Sequence, residues 1–261
     1  MELPLMPVKP LPLEKLMASV LKPRVDLKAF IKEIRARANG QHETPQSKRM
    51  YGLRFNLERA RYHTLQRAHW TSNRRDCWAF AQALAPMDVK KIIWAHEEDE
   101  LAGNRARGVE DHYALRVRES QTLGLTPEDF RSAPLHPGTM TCVYAWIQLV
   151  KDSHWLTSVS ACAALEISNS SEWVDGGGGS YRMGKRYEAD LGIPFNKQVN
   201  AKEHAEVDVE HAHLLLQIAE RHADTPEKLD LMMRGLVESW EIESVWKGQV
   251  ADMLEAIPGP S

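Results

Sequence analysis

Residues 202 to 213, KEHAEVDVEHAH, hold three histidines and four acidic residues, Glu203, Glu206, Asp208 and Glu210. In a helix turning about 100° per residue, His204, Asp208 and His211 fall within roughly 60° of one another, on one face. At the same spacing that face continues through Leu215 and Ile218 to His222, the pattern of a buried side. Glu206, Glu210 and His213 point elsewhere. An unpaired carboxylate on a buried stripe costs several kcal/mol even after relaxation. A divalent metal would offset that charge. Imidazole and carboxylate one turn apart suit iron, manganese or zinc, and no thiolate is offered. A hydrogen-bonded His/Asp cluster, or a solvated face that aligns with the seam by accident, gives the same spacing.

A metal in a helical protein draws ligands from facing helices. Glu166 stands in the otherwise apolar run Ala161 to Ile167, where an acid is seldom left without a partner. Upstream, Glu97, Glu98, Asp99 and Glu100 precede Gly103, and His112 follows before Tyr113, Ala114 and Leu115. Most of such an acidic run is a solvated face, with about one member free to serve as a ligand. Two carboxylates and a histidine facing a His/Asp/His helix make the ligand inventory of a carboxylate-bridged two-metal site in a bundle.

The elements that must position these residues read as helical almost throughout. Leu27, Phe30, Ile31 and Ile34 recur at intervals of three and four, and Asn39-Gly40 ends that helix. Residues 45–70 form a second expected helix, DCWAFAQALA a third closed by Pro86, and the acidic run lies on the next. Thr139 to about Trp173 is long and apolar, a central helix or a kinked pair. DGGGGSYRMGKRYEADLGIPF is the clear irregular stretch, its glycines at 176 to 179 a flexible linker in preference to a phosphate cradle, since no GK[ST] ending follows. The motif helix and a last helix to about Ile257 complete the chain. With no alternating strand run, the expectation is all-α: a single-domain bundle of roughly seven helices over 26–257, after a Pro-rich, irregular segment at 1–25.

Taken in order, Glu100, His112, Glu166 and the His204-x3-Asp208-x2-His211 element resemble the motif of the haem-oxygenase-like di-metal oxidases and oxygenases, which share the thiaminase and pyrroloquinoline-quinone-synthase fold. The likeness spans roughly residues 74 to 255. It implies a haem-oxygenase-like bundle, two Fe²⁺ per chain, and Glu100, His112, Glu166, His204, Asp208 and His211 as metal ligands. The gap from Glu100 to His112 is wider than the family's, which leaves Glu97 as an alternative to Glu100, and the first seventy residues match nothing in the pattern. Family reactions range from oxidative decarboxylation of fatty acids and fragmentation of amino-acid side chains to N-oxygenation of amines and formation of p-aminobenzoate from the protein's own residues. The resemblance thus implies an O2-dependent oxidase or oxygenase of a small amine- or carboxylate-bearing metabolite. Trp94 and Trp146 are candidates for its pocket wall, although a tryptophan at helical spacing is more often core.

Composition narrows the partners. The chain has 261 residues, is 43% hydrophobic, and its formal net charge of -3 calls for no polyanionic partner. Residues 22 to 75 nevertheless hold fourteen Lys and Arg against four acids. Solvated helix faces explain that excess, or an acidic partner does. Cys77, Cys142 and Cys162 have no ligand spacing, as in a reduced, cytoplasmic protein with inert core thiols. No run of about 18 apolar residues calls for a membrane. A small-molecule substrate and dioxygen are the expected partners, without nucleic acid or membrane, and a homodimer is left open. Two rivals remain: a metal-independent thiaminase-like or pyrroloquinoline-quinone-synthase-like enzyme, against which the six candidate ligands argue, and a non-enzymatic helical protein docking an acidic partner.

Overall fold

The computed structural model describes residues 25–104 and 107–260, and at 206–210 the helical backbone alone. The proline-rich segment expected at 1–25 lies, except for its last residue, outside the described residues. Eleven α-helices occupy the described residues, with no strand among them. They are α1 Leu27–Glu43, α2 Pro45–Gly52, α3 Leu57–Leu84, α4 Met87–Ala102, α5 His112–Ser120, α6 Pro127–Ser132, α7 Pro137–Asp152, α8 Trp155–Asn169, α9 Gly179–Leu191, α10 Val199–His222 and α11 Pro226–Ala256.

The all-α expectation holds, but roughly seven helices is too few, and local chemistry explains the difference. Residues 45–70 are not one helix: α2 ends at Gly52, and Asn56 opens α3 by accepting from the Arg59 amide. Nothing interrupts α3 before Ala85, so it absorbs the separate helix expected at DCWAFAQALA. The long apolar segment is a pair, divided where His154 accepts from the Leu156 amide. The stretch read as irregular contains α9. Its glycines serve geometry: Gly176 and Gly177 have φ of 77° and 88°, and a Cβ on Gly178 would stand 2.1 Å from the Asn169 carbonyl oxygen.

α8 is the axis of the fold, buried at every position from Leu156 to Ser168. α11, α10, α3 and α7 pack around it. Gly235 lets α11 approach, since a Cβ there would lie 2.2 Å from Thr157 O, and Trp240 Nε1 donates to Ala164 O at 2.9 Å. On another side α3, α7 and α11 meet through three indoles, Trp70 stacking on Trp146 at 5.3 Å and on Trp246 at 5.1 Å. Cys77, Cys142 and Cys162 are buried free thiols. No helix among the described residues is long and apolar enough to cross a membrane.

Candidate metal centre

Five helices, α3, α4, α5, α8 and α10, bring ionisable groups together. On α4 the buried stripe Val89, Ile93 continues into His96, Glu97 and Glu100. Gly103, with φ 72° and no room for a Cβ against Val109 O, turns the chain tightly after α4. Asp111 then starts α5 by accepting from the Ala114 amide, which puts His112 at the first helical position. α8 contributes Glu166, and α10 contributes His204 and His211, seven residues and about two turns apart. From α3 come Arg74 and Arg75.

One ligand atom from each of His96, Glu100, Glu166 and His211 lies within 4.8 Å of the others, and all four residues are buried. Glu100 Oε1 is 3.0 Å from His112 Nδ1 and 3.6 Å from His211 Nδ1, while its Oε2 is 2.9 Å from Arg75 Nη1. Glu166 divides its oxygens in the same way. Its Oε1 meets the Arg74 guanidinium and lies 3.4 Å from His96 Nε2, and its Oε2 is 3.9 Å from His211 Nδ1. The His112 ring lies 4.7 Å from that of His204, and the His96 ring 4.4 Å from that of His211. Each carboxylate therefore gives one oxygen to an arginine and leaves the other facing an imidazole, and the arginine-bound oxygen of Glu166 also faces His96.

Charge compensation sets the protonation of this cluster. Burial alone would raise the Glu166 carboxyl, but Arg74 and His96 outweigh it and hold the group well below the carboxylate range. Glu100 is held low against the same burial by Arg75 and His112. For His96 burial opposes the charged form, yet Glu166 and Glu97 raise it to about 9. His204 goes the other way, kept neutral by burial and by His112.

The donor set fits a divalent metal. Among the described residues, buried Glu100 Oε1, Glu166 Oε2 and His96 Nε2 make no aligned hydrogen bond despite the short distances around them, as expected of atoms directed at a cation. Mixed imidazole and carboxylate donors without thiolate suit iron among the common metals. Glu97 completes the arrangement from behind: its Oε1 is 3.0 Å from His96 Nδ1 and 2.8 Å from Arg75 Nη1, the contact that fixes an imidazole's orientation.

Of the residues singled out in the sequence, Glu100, His112, Glu166, His204 and His211 converge on this centre. The side chain of Asp208 lies outside the described residues. His213 is exposed and pairs with Glu172 at 2.7 Å, away from the cluster. Glu97 stands behind His96, with Glu100 in the cluster itself. Sequence reasoning missed His96, although the spacing Val89, Ile93, His96, Glu100 carried the same signal as the seam on α10. It also missed that Arg74 and Arg75, members of the basic region, turn inward. The tryptophans proposed as pocket wall are not there: Trp94 is 65% exposed and Trp146 belongs to the indole stack of the core.

Comparison with known proteins is consistent with this geometry. Residues 61–244 match the family described as iron-containing redox enzymes. Among solved structures, a CADD-like protein of unknown function from Nostoc punctiforme superposes with a TM-score of 0.67 at 17% identity, over 87% of this chain and 99% of that one. A domain of unknown function with a haem-oxygenase-like fold from Shewanella denitrificans gives 0.66 at 13% identity, over 89% and 93%. At such identities the likeness concerns the fold alone, which is haem-oxygenase-like. No curated protein matches the sequence.

Proposed function

The chain belongs to the family of iron-containing redox enzymes, and from that premise we propose that it is a non-haem di-iron oxidase or oxygenase acting with dioxygen on a small amine- or carboxylate-bearing molecule. The observation that carries the reading is the buried cluster of His96, Glu100, Glu166 and His211, flanked by His112 and His204. Glu100 Oε1 stands 3.0 Å from His112 Nδ1 and 3.6 Å from His211 Nδ1, so it could serve as a ligand together with either imidazole. Glu100, Glu166, His96, His112, His204 and His211 are the ligands this reading assigns, with Asp208 added from its place on the α10 face. Ferrous iron, when bound, would supply the electrons that reduce dioxygen. Arg74 and Arg75 hold the outer oxygens of Glu166 and Glu100, and so fix the direction of the inner ones. Glu97 fixes the ring of His96, and the burial of the cluster keeps bulk water from it.

One observation favours a second reading. The guanidiniums of Arg74 and Arg75 already offset two carboxylates without any metal, as in a metal-independent enzyme in which His and Glu do acid–base work. Anaerobic reconstitution with ferrous salt, gel filtration and metal analysis separates the two. Two irons per chain, with oxygen uptake when a substrate is added, is the expected result. A protein that retains no iron under these conditions belongs to the second reading.

A further inference from the structure

One turn beyond His112 on α5 lies Arg116, which is 7% exposed and joined to no hydrogen bond or ion pair among the described residues. Glu119 and Glu100 act on it through space, but neither contacts it; a guanidinium so deeply buried without a bonded carboxylate is costly, and an anion in contact would reduce the cost. Arg116 lines two cavities. One, of about 240 Å³, reaches Glu100, His112 and His204 of the candidate centre. The other, of about 40 Å³, is walled by Arg67, His63, Tyr187 and Glu119.

The smaller cavity brings together Arg116, Arg67 and His63 as donors, and its wall also holds Glu119 and the amide oxygens of Gln198 and Asn200, unpartnered among the described residues. Among the described residues Arg67 forms no ion pair; its guanidinium donates to Ser180 Oγ at 2.9 Å. His63 is fully buried, its Nδ1 2.7 Å from the Tyr187 hydroxyl. Another contact of the phenol, Ala60 O, is at 3.4 Å, long for an O–H donor whose usual distance is about 2.7–2.8 Å. The phenol also meets the Thr64 hydroxyl; with its proton given to Nδ1, the shortest of these contacts, the imidazole proton sits on Nε2, a buried atom without a partner among the described residues. Glu119 is already engaged, its Oε2 accepting from the Ala201 amide at 2.9 Å. Burial, then the neighbouring Arg67, pushes Arg116 down to about 9, another sign of uncompensated positive charge.

We propose that Arg116, Arg67 and His63 Nε2–H form a carboxylate-binding subsite, so that the substrate is a small carboxylic acid anchored by guanidinium and not by metal. The substrate role rests on the reading of the adjacent cluster as the reacting centre. Size suits a small group: the cavity of about 40 Å³ is far smaller than the neighbouring one of about 240 Å³. Spacing limits the rest of the molecule. Arg116 lines both cavities, and it stands four residues from His112, about 6 Å along the helix, so a molecule that reaches from one residue to the other can be short. An amino acid or a short aryl acid spans that distance. A groove on the other side of His96 and His211 also carries cations, Lys91, Arg107 and Arg221. Arg107 is paired with Glu203 at 3.0 Å, and Lys91 and Arg221 are exposed to water.

The test uses the full chain, metal-free, with 3-phenylpropionate and the isosteric 3-phenylpropionamide as calorimetric probes. The acid is expected to bind at least tenfold more tightly than the amide. Arg116→Gln should erase that preference, Arg116→Lys should keep part of it, and the double variant Lys91→Gln/Arg221→Gln should leave it within twofold of the wild type. Equal affinity for acid and amide, no binding of either, a preference that survives Arg116→Gln, or its loss in the groove variant overturns the proposal. So does displacement of the acid by a lower concentration of inorganic phosphate. If Arg116→Gln does not fold, Arg67→Gln and the wild-type acid-to-amide ratio carry the test. Because the measurement needs no iron, it fails separately from the di-iron reading: acid-selective binding in a protein that takes up no iron leaves the subsite standing, and iron uptake with no acid preference removes the subsite alone.

Discussion

Replacing Arg74 by Met is expected to destabilise the protein far more without metal than with it. The side chains of Arg74 and Glu166 are 6% and 1% exposed, so the variant leaves a buried carboxylate without its main counter-charge. Breaking a buried pair on one side costs about 3–5 kcal/mol. His96 Nε2, 3.4 Å from Glu166 Oε1, remains as a partial replacement and places the loss at the lower end. In a chain of this size a loss of about 3 kcal/mol lowers the melting temperature by about 6–12 °C. A bound dication supplies the missing charge, so most of that difference should disappear when the variant and the wild type are compared with ferrous ion under anaerobic conditions. Calorimetry on the four samples measures it. Equal losses with and without metal would refute the reasoning, because Arg74 would then act through packing and not as the counter-ion of a metal ligand.

Three other outcomes follow from described contacts. His211→Ala should abolish ferrous binding, whereas His213→Ala, at the exposed pair with Glu172, should leave iron content unchanged on metal analysis. Burial, then Arg67, depresses His63 from 6.5 to about 3, so the folded state binds fewer protons than the unfolded one below pH 6.5. Its contribution is therefore present above 6.5 and lost as pH falls towards 3, at about 1.4 kcal/mol per pH unit. Urea titrations at pH 7 and 5 should show a smaller acid loss in His63→Gln than in the wild type. Gly235→Ala drives a Cβ to 2.2 Å from Thr157 O, and overpacking of that kind should cost about 1–3 kcal/mol in the same titrations.

The parts of the fold legible in the sequence were those set by periodicity and by local breakers. The α10 face could be read because His204 and His211 continue a stripe that ends in Leu215 and Ile218. Glu166 could be read because its neighbours are apolar on every side. His96 hid in the acidic run His96 to Glu100, where solvated and buried residues alternate within one turn and only the upstream Val89 and Ile93 give the phase. Arg74 and Arg75 were beyond the sequence for another reason: a long cationic side chain is usually solvated, and only the tertiary position of α3 beside α4 and α8 turns these two inward. The helix count erred where a cap decides the break, at Asn56 and His154, since capping residues are common in places where no helix begins.

The indole stack gives the molecule an optical label of its own. Trp70 stacks nearly parallel to both neighbours, at 16° to Trp146 and 11° to Trp246, with centroids just over 5 Å away. Transition dipoles held so close and so nearly parallel couple strongly, and the coupling depends on the relative placement of α3, α7 and α11. A shift of any one of these helices alters the near-ultraviolet circular dichroism and fluorescence of the intact chain. Because Arg74 lies one turn beyond Trp70 on α3, the same chromophores register any displacement of that helix when the carboxylates beside it gain or lose a cation.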